Sequence, residues 1–210
     1  MRVITEYPVA LDSPDHLHPY GAILNNSTNS AFIDEVELHF KRTISMCDLG
    51  CAGGQLVADF KRRGHTAIGI EGSDSAITHF NWPELYGKNL FTADIGRPFT
   101  ITEDEDPSPF AEPFDFDLIT AWEVLEHLPP KRLEDFFLNV NIHLKLDGMF
   151  LASINTTSET SSGYEMHQSI FGIEEWRKHW EVCLHDFPYP FKTWVRNDNG
   201  FLIMLKRSPK

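Results

Sequence analysis

The chain has 210 residues and a formal net charge of −13, a length that suits one domain carrying a small cap. Its 41% hydrophobic and 23% charged residues describe a folded chain, not a disordered one. The acidic balance argues against a broad nucleic-acid surface, which needs clustered Lys and Arg.

Residues 1–26 hold prolines, histidines and an Asn-Asn-Ser run without a period, and read as an extended arm or short lid. Ser27, Thr28 and Asn29 are good cap residues, and Phe32, Ile33, Val36 and Phe40 recur at helical spacing, which predicts a helix over 29–40. Residues 43–49 (TISMCDL) are a mostly apolar run that ends in a glycine-rich turn, the pattern of a buried strand. A helix over 55–63, a strand over 65–70 ending at Glu71, a helix from Ser75 and a short strand over 89–93 ending at Asp94 follow. The acidic, proline-rich stretch 103–115 reads as a surface loop, and 116–122 (FDLITAW) as a fourth strand.

Pro129 and Pro130 sit where the first turn of a helix tolerates proline, and Leu133, Phe136, Phe137, Val140 and Leu144 stripe its apolar face. Asp147-Gly148 is expected to turn the chain into a fifth strand over 149–154. The segment 155–163 is polar and small, and Ile173, Trp176, Trp180 and Leu184 predict one more helix. Strand-like runs over 191–196 and 201–206, joined by Asn197-Asp198-Asn199-Gly200, suggest a closing antiparallel hairpin. Strands alternating with helices imply an α/β fold: a seven-stranded, mostly parallel sheet with helices on both faces.

The stretch Asp48-Leu49-Gly50-Cys51-Ala52-Gly53-Gly54 follows a strand and opens a helix, so backbone amides there can face a ligand. Glu71 closes the next strand, where a carboxylate can accept both hydroxyls of a ribose. The glycines miss the G-x-G-x-x-G dinucleotide pattern, which argues against a nicotinamide-dependent dehydrogenase. The stretch resembles motif I of the class I S-adenosylmethionine (SAM)-dependent methyltransferases, with Asp48, Gly50 and Gly54 matching and Ala52 in place of the middle glycine. Glu71-Gly72-Ser73 is similar to that family's ribose-binding step, and Thr92-Ala93-Asp94-Ile95 to its adenine-flanking segment. Residues 116–128 resemble its fourth strand and following loop, and 144–154 its fifth. The resemblance implies a Rossmann-like fold, SAM as cofactor, and Asp48, Gly50, Cys51, Gly54, Glu71, Gly72, Ser73, Asp94 and Ile95 as its binding residues. It divides the chain into a SAM-binding core over 27–154, an acceptor-side insertion over 155–190 and the closing hairpin over 191–210. A SAM-binding subunit without chemistry, using the acidic loop as its contact, is the reading from another class.

Glu123, Glu126 and His127 follow the fourth strand. Two carboxylates and an imidazole there can hold a divalent ion such as Mg²⁺ or Mn²⁺. The step resembles that of the ubiquinone-pathway O-methyltransferases. It is also similar to that of the small-RNA 3′-terminal 2′-O-methyltransferases, which add a downstream histidine, here His167. Leu128 stands where the RNA enzymes double their histidine, and the net charge disfavours RNA. The bland alternative has Glu123 facing the SAM amino group and Glu126 capping the next helix.

His167 is the candidate base for an acceptor oxygen or nitrogen, with Glu123 beside it, and an exposed, idle histidine is the competing reading. Tyr164, Trp176, Trp180 and Phe187-Pro188-Tyr189-Pro190, joined by His16, His18 and Tyr20 from the arm, suit a flat or apolar small-molecule acceptor. Trp176 and Trp180, four apart on a helix, read first as core. Cys47 and Cys51 read as small packing residues. With Cys183 the cysteines form no disulfide framework, and no export signal or membrane-length apolar run appears, so a cytoplasmic location is expected.

Overall fold

The computed structural model describes residues 1–19, 26, 28–80, 89–103, 112–183, 192–195 and 200–206. Tyr20, the acidic stretch from 104 to 111, the segment 184–191 and residues 196–199 lie outside the described residues. In chain order the strands are β1 (Arg2–Thr5), β2 (Ser45–Leu49), β3 (Thr66–Glu71), β4 (Leu90–Thr92), β5 (Phe99–Thr102), β6 (Phe116–Trp122), β7 (Leu144–Asn155), β8 (Thr160–Ser161), β9 (Tyr164–Glu165), β10 (Lys192–Val195) and β11 (Gly200–Lys206). The helices are α1 (Pro14–Leu17), α2 (Ser30–Phe40), α3 (Gln55–Arg62), α4 (Ser75–His79), α5 (Leu133–His143) and α6 (Ile173–Cys183).

The main sheet has seven strands in the order β10-β11-β7-β6-β2-β3-β4. The five from β7 to β4 run parallel, and β11 and β10 are antiparallel. Alternate side chains on the parallel strands enter two separate cores. Met46, Leu118 and Met149 pack with Ile33 and Val36 of α2 and Leu56, Val57 and Phe60 of α3. Cys47, Ile119 and Phe150 pack with Phe136, Phe137 and Val140 of α5 and with Trp176 of α6. This period of two, apolar in both phases, is what a parallel sheet covered on both faces requires. Trp176 is fully buried, as a core residue.

α2 starts where Asn29 caps it, its side chain accepting the N–H of Phe32 at 3.1 Å. Below the sheet, Asp117 binds Arg42, Lys145 and both the N–H and hydroxyl of Ser45. Burial opposes the charge of Asp117, but these donors hold its carboxyl well below the usual carboxylate range. The cluster ties β2 to β6 and to the start of β7.

At three places the fold corrects or adds to the sequence reading. The arm is not irregular throughout: Arg2–Thr5 pairs antiparallel with Phe99–Thr102, and Phe99 and Ile101 enter the core. Each strand has four residues, too short to display a period, and the two meet only through the fold. The fifth strand begins at Leu144, not at Met149; Asp147, at φ 65°, lies inside a bulge where the pairing skips from Phe116↔Leu144 to Leu118↔Met149. The polar segment after Asn155 contains the small hairpin of β8 and β9, with Ser162 and Gly163 both at positive φ in its turn.

All the C-terminal ends of the parallel strands open on one side of the sheet. Ligands in such sheets bind there.

Candidate active site

A cleft of about 470 Å³ lies over those strand ends. Gly50, Glu71, Gly72, Ser73, Asp94 and Ile95 are among the residues that line it. Gly50 has φ 78°, and a Cβ there would come within 2.4 Å of Val124, so the glycine lets the turn pass under the 123–127 segment. Gly54, at φ 74°, starts α3 without a side-chain cap, and Asn26 serves instead, accepting the N–H of Gln55 at 2.9 Å. Ala52 takes φ 47°, the left-handed region that the absent glycine would occupy with less strain.

Asp48, Cys51 and Gly54 do not line the cleft; they support it from beneath. Cys51 sits against Gly69, where a Cβ would come within 2.6 Å of its sulfur. Burial pushes both the Cys47 and the Cys51 thiols up, so they stay neutral packing groups. Asp48 is buried and accepts the Thr120 hydroxyl at 2.6 Å from the neighbouring strand.

Burial raises Asp48 to about 7, more than the Thr120 hydrogen bond lowers it. The folded state therefore binds more protons than the unfolded chain between about pH 4 and 7, and stability falls as pH rises through that window. The urea midpoint of the ligand-free protein is expected to drop between those limits, and Asp48→Asn to reduce the drop. An equal slope in both proteins would contradict this.

The Glu71 carboxylate accepts the N–H of Ala52 at 2.8 Å and of Ser73 at 3.1 Å. Burial raises its pKa, and those amides work against the rise. Asp94 accepts the Gly96 N–H and pairs with Arg132, which also binds Asp12 at 2.7 Å. Asp12, Asp15 and Arg132 were absent from the sequence-level site. Arg132 and the arm residues lie far apart in the chain, so no local motif joins them.

Glu126, His127 and His167 come together, one ligand atom from each lying within 4.8 Å of the others. Glu126 is fully buried; Oε1 accepts the Asn155 N–H at 2.7 Å, while Oε2 has no hydrogen-bond partner among the described residues. It does not cap the next helix. Burial raises it to about 7. Its backbone carbonyl accepts the N–H groups of Gln168 and Ser169, which pins His167 beside His127 with their rings 4.7 Å apart.

His167 is 2% exposed, so the reading of it as an exposed, idle residue fails. Its Nδ1 lies against the Thr157 carbonyl, which only accepts, so Nδ1 carries the proton. Nε2 lies 3.3 Å from Glu159. Burial lowers the His127 pKa, but the hydrogen bond and charge of Asp15, with Glu126 and Glu159, outweigh it and leave the imidazole above its ordinary value.

Glu123 lines the same cleft but is exposed and stands outside that three-residue group. It holds φ 53°, and its N–H donates to Ser153. Strain of this kind in a non-glycine residue is common at functional sites. His16 of the arm lines the cleft, and His18 of the same arm packs on Tyr164 of β9 with ring centroids 4.3 Å apart.

A family model for a methyltransferase domain matches residues 24–193. A ubiquinone biosynthesis O-methyltransferase of Neisseria meningitidis serogroup C is 30% identical over 156 residues, 70% of this chain and 61% of that protein. The chain thus spans less than two thirds of that relative's length. The crystal structure of a SAM-dependent methyltransferase from Clostridium acetobutylicum aligns with a TM-score of 0.63 at 14% identity, covering 92% of this chain and 98% of that one. A 1,6-didemethyltoxoflavin-N1-methyltransferase from Burkholderia thailandensis, solved with its acceptor and S-adenosylhomocysteine, aligns with a TM-score of 0.58 at 13% identity over 93% of this chain and 84% of its own. No helix among the described residues is long and apolar enough to cross a membrane. A family match of that extent, on a sheet whose order and glycine turn agree with it, makes this chain a member of the methyltransferase domain family, of the class I, SAM-dependent kind.

Proposed function

We propose that the protein transfers the methyl group of SAM to an oxygen of a small-molecule acceptor, with a cleft histidine taking the acceptor's proton. The observation that carries this reading is the pair of imidazoles, His127 and His167, held beside the buried Glu126 in the same cleft as the glycine turn and Glu71. The sulfonium already makes the methyl carbon electrophilic, so the protein's share is alignment, exclusion of water and removal of one proton. Nδ1 of His167 is engaged with Thr157, so the proton goes to Nε2, where Glu159, 3.3 Å away, would stabilise the imidazolium that forms. Glu71 takes the ribose hydroxyls, Asp94 and Ile95 flank the adenine, and Glu123 faces the SAM amino group or the acceptor. The names of the curated relatives favour oxygen over nitrogen as the acceptor atom.

A second reading is metal-assisted O-methylation of a catechol-like acceptor. The unpartnered Oε2 of Glu126 is the observation that favours it, because a buried carboxylate oxygen without a donor is costly unless something positive reaches it. Glu126, His127 and His167 would hold a divalent ion, with Glu123 at the edge of reach. One carboxylate and two imidazoles fit Mn²⁺ or Fe²⁺ better than Mg²⁺. Such an ion would supply Lewis-acid activation of an acceptor hydroxyl.

The deciding experiment is calorimetric titration of EDTA-treated protein with S-adenosylhomocysteine, with and without Mg²⁺ or Mn²⁺, followed by product analysis on catechol, phenol and amine acceptors. S-adenosylhomocysteine binding with metal-independent O-methylation supports the first reading. A separate metal heat and metal-dependent turnover support the second. No binding of S-adenosylhomocysteine under any condition overturns both.

A further inference from the structure

We infer that Asp12 and Arg132 are positioning residues for the cofactor: the Arg132 guanidinium ties the N-terminal arm, through Asp12, to Asp94, and so fixes one wall of the space that SAM occupies. This rests on the proposal that Glu71, Asp94 and Ile95 hold SAM.

The Arg132 side chain is only 6% exposed, and a guanidinium is always charged. Such a charge is costly to bury unless it is paired and hydrogen-bonded. Two carboxylates meet that need from distant parts of the chain. Nη1 donates to Oδ2 of the buried Asp94, and Nη2 donates to Oδ2 of Asp12 at 2.7 Å. The planar fork of arginine can serve both at once, where a lysine offers a single point of charge. Gly96 leaves room for this approach, since a Cβ there would come within 2.9 Å of the Arg132 Cβ. Its N–H also donates to Oδ1 of Asp94 at 3.0 Å, so the Asp94 carboxylate is held from two sides.

The arm completes the circuit through its backbone. The Asp94 N–H donates to the Tyr7 carbonyl and the Ala10 N–H to the Gly72 carbonyl, both at 2.9 Å. Arg97 lies over the Tyr7 ring, 4.9 Å from its centroid. Asp12 comes two residues after Ala10, and Ser13 then caps α1, its hydroxyl accepting the Asp15 N–H at 3.3 Å. Ala10, Asp12 and Ser13 line the cleft together with Gly72, Asp94 and Arg132. The arm and the ends of β3 and β4 therefore form one continuous wall. The backbone bonds fix the arm as far as Ala10, and the Asp12–Arg132 pair carries that order on to α1.

The test is calorimetric titration of the full chain with S-adenosylhomocysteine, with hydrogen exchange followed over residues 7–17. Asp12 is 66% exposed, so solvent screens its pair with Arg132. Asp12→Ala is expected to weaken binding by about fivefold, the upper end for an exposed pair, and to speed exchange in the arm while β2 and β3 keep their protection. Asp12→Asn keeps the shape and one accepting oxygen, so it should lose less. Arg132→Gln removes the charge, and adding Asp12→Ala to it should cost less than about twofold more, because the two residues act as one unit.

Equal affinity in the native protein and Asp12→Ala would overturn the inference, even with a faster-exchanging arm, since the tie would then order the arm without serving the cofactor. A full fivefold loss on top of Arg132→Gln would overturn it too, because Asp12 would be acting without Arg132. A native protein that binds no S-adenosylhomocysteine would bring down the cofactor assignment itself, and this inference with it. Native binding indifferent to Asp12→Ala would bring down the inference alone.

Discussion

Glu71→Ala is expected to weaken S-adenosylhomocysteine binding by about 100-fold in a calorimetric titration, with the protein still folded by circular dichroism. Glu71 ends β3, is nearly buried, and already accepts two backbone amides from the turn and from Ser73. Ribose hydroxyls reaching it would donate to a charged acceptor, each bond being worth about 1.5–3 kcal/mol. Losing two such bonds costs roughly 3 kcal/mol, which is about two decades in affinity. The alanine also frees the Ala52 N–H that holds the turn at its ligand-facing position. Glu71→Gln keeps the shape and one accepting oxygen, so a smaller loss is expected. Burial raises the Glu71 pKa in the free protein, whereas hydroxyl donors stabilise its charged form, so affinity should fall as the solution is acidified. Native affinity in Glu71→Ala would remove this residue from the cofactor site.

His167→Ala is expected to lower kcat by about 10²–10⁴-fold, the range for removing a general base, while S-adenosylhomocysteine affinity stays within about twofold. The split follows from position: His167 lies after β9, with its ring nitrogens against the Thr157 carbonyl and Glu159. Its burial makes a folding defect the alternative cause of lost activity. His167→Gln answers that, because its amide N–H can still reach the Thr157 carbonyl and fill the space. Loss of activity in both variants with native melting temperatures supports the base. Full activity in His167→Gln would move the base to His127 or Glu123. If the site works through an ion, the same variants should instead lose the Mn²⁺ heat, and that heat separates the two readings without any acceptor.

The glycine turn, Glu71 and the strand ends were readable because each is local: a strand, a turn and a carboxylate follow one another within about one βαβ unit. The register of β2 on β3 and β6 then places Gly50, Glu71 and Glu123 on one rim with no further choice. The start of α2 was equally local, with Asn29 as its cap. The strand at 99–102 was not readable, because its partner is residues 2–5 and the energy that makes both extended comes from pairing across the chain. The 145–148 bulge was missed for a related reason: Asp-Gly is a turn signal in any context, and only the pairing of β7 with β6 on either side shows that the strand continues through it.

The candidate site divides along the same line. Residue type and spacing established an α/β chain, a glycine turn between a strand and a helix, a carboxylate ending the next strand and a carboxylate–histidine step after the fourth strand, since these depend on interactions within a few residues; the resemblance to the SAM-dependent methyltransferases supplied the cofactor. Tertiary packing settled which of those carboxylates faces what. It buried Glu126 and left one of its oxygens without a partner among the described residues, kept Glu123 exposed, and brought His167 against His127 through the hydrogen bonds from the 168–169 backbone to Glu126. It also delivered Asp15 to His127, a contact between residues 112 positions apart. Nothing in either neighbourhood encodes that meeting. It results from β1 pairing with β5 and from the arm's hydrogen bonds along Gly72 and Asp94, so it exists only once the sheet has formed.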